Sequence, residues 1–142
     1  MANEGILKVS FNEVAEIVKE VVKEDYNFTY VDEYINDTKV MLKYLCKDYR
    51  WTDESSIGRR QMFKKVYFTN ISDNAHPKLF NSIHAILSCF HPFFYYVNNK
   101  LDYNESLFDE KIEYKKLEDG TSICSIDELK GYISWHLHDY KK

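Results

Sequence analysis

The sequence predicts an α+β protein with two N-terminal helices, a small sheet of three to four strands with one crossover helix, and a C-terminal helix. Three observations predict this class. Serine and glutamate stand at capping-box spacing before the first and last helical patterns, as Ser10 with Glu13 and Ser125 with Glu128. Two short runs rich in β-branched and aromatic residues, 65–71 and 93–97, flank an apolar pattern of helical period at 77–90.

Length and composition indicate a single domain over residues 1–142. The chain is 44% apolar and 30% charged with four glycines and two prolines, which is typical of a folded protein and not of a linker. No run approaches the roughly 18 apolar residues of a membrane span. The first residues are neither basic nor followed by an apolar segment, so we expect a cytoplasmic protein without a membrane partner.

The N-terminal third predicts two helices. Residues 6–9 either add an edge strand or lead directly into the first helix. The apolar stripe of that helix consists of Phe11, Val14, Ile17, Val18, Val21 and Val22. A second periodic run, 30–49, predicts a long helix antiparallel to the first, or two shorter helices divided at 36–38, where polar side chains compete for backbone hydrogen bonds. Residues 50–60 are polar and predict a loop.

The middle of the chain predicts a buried β-α-β unit that the flanking helices cover. Its strands are 65–71 and 93–97, and its crossover helix runs over 77–90. Pro77 suits a first helical turn, where its missing N–H is not needed. His91 precedes Pro92, and a residue before proline is disfavoured in the α region, so the helix should stop there.

The last third predicts a hairpin and a closing helix. Residues 112–114 alternate as in a half-exposed strand, although 107–115 also fit a helix. We favour the strand because 118–120 form a typical hairpin turn into 121–124. The apolar face of the final helix consists of Ile126, Leu129, Ile133, Leu137 and Tyr140.

Neither a metal nor a cofactor site is predicted. The histidines His84, His91, His136 and His138 and the cysteines Cys46, Cys89 and Cys124 lack the paired short spacings of zinc ligands. Three widely separated cysteines are typical of reduced thiols in an intracellular protein. Cys89 and Cys124 are the candidate nucleophiles. No glycine-rich phosphate loop is present in the sequence, and the balance favours a protein that is not an enzyme.

A short basic patch supports one hypothesis of function. Arg59, Arg60, Lys64 and Lys65 are interleaved with Met62 and Phe63, a mixture that can hold a phosphate backbone. The patch is short and the chain carries a net charge of −4, so a nucleic-acid or nucleotide-binding protein is the alternative prediction.

The favoured hypothesis is a protein-binding module that covers a basic partner. Residues 102–119 are rich in carboxylates and include tyrosines, which is the composition of an interface with an aromatic centre and a charged rim. The predicted contact residues are Asp102, Tyr103, Asp109, Glu110, Glu113 and Tyr114. Small acidic inhibitors, such as immunity proteins that cover the basic active site of a nuclease, are similar in type, but no stretch carries a motif of such a family.

Overall fold

The structure is a computed structural model that describes residues 6–25, 31–47, 61, 65, 85–98, 105–116 and 120–137. In these ranges the chain is mostly helical, with a small antiparallel sheet. The elements in order are strand β1 (Lys8–Val9), helix α1 (Phe11–Asp25), helix α2 (Val31–Lys47), a helical stretch at 85–89, helix α3 (His91–Asn98), a 3₁₀ turn (Glu105–Phe108), strand β2 (Ile112–Glu113) and helix α4 (Ile126–Leu137).

Both predicted capping boxes begin helices. The hydroxyl of Ser10 accepts a hydrogen bond from the Glu13 amide at 3.1 Å, and the Glu13 carboxylate accepts one from the Ser10 amide at 2.8 Å. At α4 the Ser125 hydroxyl accepts from the Glu128 amide at 3.1 Å, but the Glu128 carboxylate accepts from the backbone amide of Cys124 at 3.5 Å instead of that of Ser125, so only the serine half of this box forms. Local side-chain chemistry therefore sets both helix starts.

Helix α2 is continuous through the polar segment 36–38, so the alternative of two shorter helices is excluded. Thr38 is buried, and its hydroxyl donates to the carbonyl of Tyr34, four residues earlier, at 2.7 Å. Because this hydroxyl bonds to a carbonyl four residues earlier in the same helix, it does not take the place of the backbone hydrogen bonds of the next turn.

The predicted strand at 93–97 is wrong, because these residues belong to α3. Phe93 and Phe94 are both buried, whereas a strand with one covered face would expose one of them. Pro92 lies in the first turn of α3, where proline is tolerated. The proline therefore ends one helix at 89 and allows another to begin. At this junction the amide of Phe90 donates to the carbonyl of Leu87, and the amide of Phe93 donates to the carbonyl of Phe90.

The predicted sheet of three to four strands is not shown by the described residues. Lys65, the first residue of the predicted strand 65–71, is helical, and 66–71 lie outside the described ranges. The described part of the predicted crossover helix 77–90 is helical at 85–89. A sheet built on a central β-α-β unit is therefore incorrect, since its second strand is a helix.

The sheet that the structure does show joins the two ends of the chain. β1 pairs antiparallel with β2, Lys8 opposite Glu113 and Val9 opposite Ile112. The predicted hairpin then returns through Gly120, which has a φ of 74°, to a bridge between Lys115 and Ser122. The amide of Leu7 donates to Ile123, that of Ile123 to Tyr114, and that of Tyr114 to Leu7, at 2.8, 2.9 and 3.2 Å. This closed ring of three backbone bonds fixes the N-terminal strand to the C-terminal hairpin.

The core is built on α1, which packs against α2, α4 and the 3₁₀ turn. Phe11, at its first position, is fully buried and stacks on Phe90 with a centroid separation of 4.3 Å. Its ring also meets Phe93 and Phe108 edge to face at 5.5 and 5.2 Å. One aromatic side chain thus connects α1 to α3 and to the turn that precedes β2.

Candidate functional site

Of the carboxylates predicted in the charged segment, Asp109 and Glu110 lie exposed on a turn, and Glu113 lies half-buried in β2. We call Asp109, Glu110 and Glu113 the acidic edge. Asp109 and Glu110 follow the 3₁₀ turn, and both of their amides donate to the carbonyl of Ser106 at 3.0 Å. Phe108 on one side and Ile112 on the other are buried, so the exposed side chains stand between two fixed points of the core.

Neighbouring side chains reduce the negative charge of the acidic edge. Lys115 lies 3.8 Å from Glu113, and Lys111 lies 3.5 Å from Glu13 of α1, which adjoins the edge. These pairs are solvent-exposed, and each contributes only about 0–1 kcal/mol. The backbone register also places Lys8 opposite Glu113. The lysines therefore accompany Glu13 and Glu113, and the excess negative charge lies at Asp109 and Glu110.

Hydrogen bonding at α1 supports the same turn. The side-chain amide of Asn12 donates to the Asp109 carboxylate at 2.9 Å. The pKa of Glu13 is lowered from its ordinary value, chiefly because its carboxylate accepts the Ser10 backbone amide, with Lys111 adding to the effect. The main role of the Glu13 carboxylate is therefore to cap α1, and its ion pair with Lys111 is secondary.

Tyr114, one of the predicted contact residues, is not on the surface. Its side chain is fully buried and its hydroxyl donates to the carbonyl of Cys89. Side chains alternate along a strand, so Ile112 and Tyr114 point to the core while Glu113 and Lys115 point outward. The alternation was visible in the sequence, and it indicates that Tyr114 belongs to the core. Asp102 and Tyr103 lie outside the described residues.

The predicted basic patch is described at one position only. Lys65 is exposed, and its backbone is helical. Arg59, Arg60 and Lys64 lie outside the described part of the chain, so the structure does not place the four cations relative to one another.

The thiols differ in their surroundings. Cys89 is buried, its thiol donates to the carbonyl of Ala85 at 3.5 Å, and burial raises its pKa well above the ordinary value. A thiol kept protonated in the core is not a nucleophile. Cys124 is exposed just before α4, and the side chain of Cys46 is not described. Among the residues that the structure describes, no group of three or more His, Cys, Asp or Glu residues is arranged to hold a metal ion.

Sequence reasoning did not single out an aromatic cluster at α4, formed by Tyr132, Trp135 and His136. Trp135 is 57% exposed, and its ring is nearly parallel to that of Tyr132, 7° between planes and 6.1 Å between centroids. His136 meets Trp135 edge to face at 5.1 Å and Tyr132 at 4.5 Å. The signal available in the sequence was that Trp135 falls off the apolar stripe of its helix.

Comparison with known proteins adds no relative. The chain matches no protein-family model, and no curated protein or solved structure is significantly similar to it. Of the helices in the described ranges, none is both long and apolar enough to cross a membrane.

Proposed function

We propose that this protein is a non-enzymatic, cytoplasmic protein-binding module and that its acidic edge contacts a basic partner, in the manner of a small inhibitor that covers a basic surface. The supporting observation is that Asp109 and Glu110 are exposed on a turn whose backbone is held by Ser106 and whose flanks are buried. Carboxylates on a fixed backbone bind with less loss of conformational entropy than carboxylates on a loose loop.

The charge distribution favours an effect on the association rate with the partner more than on the affinity. Exposed charges at the rim of an interface mainly accelerate encounter with an oppositely charged partner, and salt weakens that effect. We therefore expect the edge to govern the association rate and its dependence on ionic strength. The dissociation rate should depend on apolar contacts elsewhere.

The test uses a double variant, Asp109→Lys with Glu110→Lys, in the full-length protein. Immobilised wild type captures proteins from an extract of the native cell, and each captured protein is purified and measured for association rate at low and at physiological salt. The variant should associate about ten-fold or more slowly at low salt, and the difference should shrink as salt is added.

A matched control reverses the same number of charges elsewhere. Glu33→Lys with Asp127→Lys changes two exposed carboxylates on α2 and α4. This control should capture the same basic protein at nearly the wild-type rate. Equal loss in both double variants would show that only net charge matters, and unchanged binding in the edge variant would show that the edge is not the contact surface. Either result refutes the proposal.

A further inference from the structure

His91 lies in the core and faces two hydrogen-bond acceptors. Its ring is 2% exposed, with Nδ1 2.8 Å from the carbonyl oxygen of Ser88 and Nε2 2.8 Å from that of Lys115. A carbonyl oxygen accepts and never donates. A neutral imidazole has one N–H, so it can donate to one of these oxygens but would turn a lone pair toward the other.

The first of these bonds compensates for Pro92. In a continuous helix the Ser88 carbonyl would accept the amide of residue 92, four positions later. Proline has no N–H, and Nδ1 of His91 lies 2.8 Å from the Ser88 carbonyl oxygen in its place. The next carbonyl, that of Cys89, accepts the Tyr114 hydroxyl. Two side chains thus satisfy the last carbonyls of the interrupted helix, which helix ends require.

The second bond joins distant parts of the chain. Lys115 belongs to the hairpin, 24 residues after His91. Tyr114 of the hairpin donates to the Cys89 carbonyl, and Nε2 of His91 lies 2.8 Å from the Lys115 carbonyl oxygen. The hairpin and the break between 89 and α3 are therefore connected by two side-chain contacts, one from each side. The ring of His91 is the only part of this connection that titrates near neutral pH.

The groups that face His91 come from three elements. On its own segment, Cys89 is buried two residues earlier and donates its thiol to the Ala85 carbonyl. The hairpin contributes the Tyr114 ring at 5.8 Å, and beyond it the outward Lys115 and Glu113 side chains, which pair with each other. Helix α4 contributes the rings of Tyr132 at 6.1 Å and His136 at 6.2 Å. All three rings meet the His91 ring edge to face, with interplanar angles of 67°, 76° and 64°.

We propose that His91 is doubly protonated in the folded protein and acts as a proton-dependent clasp between the interrupted helix and the C-terminal hairpin. Both N–H groups donate while the ring is an imidazolium. Loss of one proton to solvent removes one donor, and either the Ser88 or the Lys115 carbonyl loses its bond to the ring. The clasp is then weaker, and the hairpin is held by its backbone bonds and by Tyr114.

The sign of the pH dependence follows from proton binding. An ordinary histidine loses its proton near pH 6.5, so at pH 8 an unfolded chain carries a neutral residue at this position. A folded state that retains the proton binds one more proton than the unfolded state. Stability then falls as pH rises above about 6.5, and the equilibrium constant for unfolding increases by at most about ten-fold for each pH unit. The decrease ends once folded His91 is also neutral.

A spectroscopic test needs no substitution in the measured protein. Long-range ¹H–¹⁵N correlation spectra of the labelled full chain at pH 7.5 report whether each ring nitrogen is protonated, with the histidine signals assigned by comparison with single variants. We expect both nitrogens of His91 to be protonated. A spectrum in which one nitrogen is protonated and the other is bare would overturn the proposal.

A stability test uses His91→Gln, which is neutral at every pH, and the control His136→Gln on the facing helix. Urea unfolding is measured at pH 5.5 and pH 8. Wild type and His136→Gln should both lose stability toward pH 8, while His91→Gln should lose at least several-fold less in the unfolding constant. Equal pH dependence in all three proteins contradicts the clasp. If His91→Gln does not fold, the spectra of the wild type decide the question alone.

Discussion

Replacement of Tyr114 by phenylalanine tests the assignment of this residue to the core. The substitution keeps the ring and removes only the hydroxyl that donates to the Cys89 carbonyl. That carbonyl lies at the end of the helical stretch 85–89, where the amide of Phe93 is bonded to Phe90 instead. Phenylalanine therefore leaves a buried acceptor without its side-chain donor.

The expected magnitude follows from the burial of both partners. Leaving a buried carbonyl unsatisfied costs about 1–3 kcal/mol, and the retained ring adds no large cavity. We expect the free energy of unfolding to decrease by about 2 kcal/mol, which is a change of roughly 30-fold in the unfolding constant. For a chain of this size the midpoint of thermal unfolding should fall by about 5–8 °C.

The assay is equilibrium urea unfolding followed by far-ultraviolet circular dichroism. The slope of free energy against urea should be the same as in wild type, because the substitution hardly changes the surface that unfolding exposes. Val40→Ala, at an exposed position on α2, serves as the control and should change stability by less than about 0.5 kcal/mol. A loss for Tyr114→Phe as small as that of the control would refute the stabilising role of the buried hydrogen bond.

Two further predictions concern the hairpin and the first helix cap. Gly120→Ala should destabilise the protein by about 1–2 kcal/mol in urea unfolding, because φ at this position is 74°, although an added Cβ meets no atom within 4 Å. Gly120→Asn should cost less, because asparagine tolerates the left-handed region better. An alanine variant as stable as wild type would contradict the left-handed turn. Glu13→Gln tests the lowered pKa of that carboxyl. A lowered pKa stabilises the fold above the ordinary value of 4.5, and this contribution is lost as pH falls through the pKa of the folded state. The advantage of wild type over Glu13→Gln in the free energy of unfolding should therefore shrink between pH 6 and pH 3. A difference that stays constant over this range would exclude the lowered pKa.

Predictions that rested on neighbouring residues agree with the structure. The first and last helices begin where Ser10 and Ser125 cap them, and the hairpin turns at the glycine that the sequence offered. Each of these features depends on contacts within about four residues or on the backbone freedom of one glycine.

The central unit shows where local reasoning failed. A run of five aromatic and β-branched residues at 93–97 has the composition of a strand, and a proline before it is typical of the end of a helix. The chain forms a helix there because Phe93 contacts Phe11, which is 82 positions earlier, and Phe90 contacts it from the turn before. A short apolar run does not distinguish strand from helix until its packing partners are known.

The candidate site also has one part that the sequence predicts and one part that depends on the tertiary structure. Asp109, Glu110 and Glu113 were found from the density of charge, and the structure leaves them solvent-accessible to different degrees. Lys111 and Lys115 lie just before and just after β2, and Lys8 lies across the sheet from Glu113, so the position of Lys8 at the edge depends on strand register. The sequence places Trp135 off the apolar stripe of its helix, but only the structure shows its ring parallel to that of Tyr132.

By itself, the sequence determined the helix starts, the amphipathic face of α1 and the turn at Gly120, because these depend on interactions between residues only a few positions apart. The tertiary structure alone decided that 93–97 is helical and that His91 meets the carbonyls of Ser88 and Lys115. Those outcomes depend on which distant side chains share the core, and a buried polar group acquires its partners only when the segments that carry them have packed together.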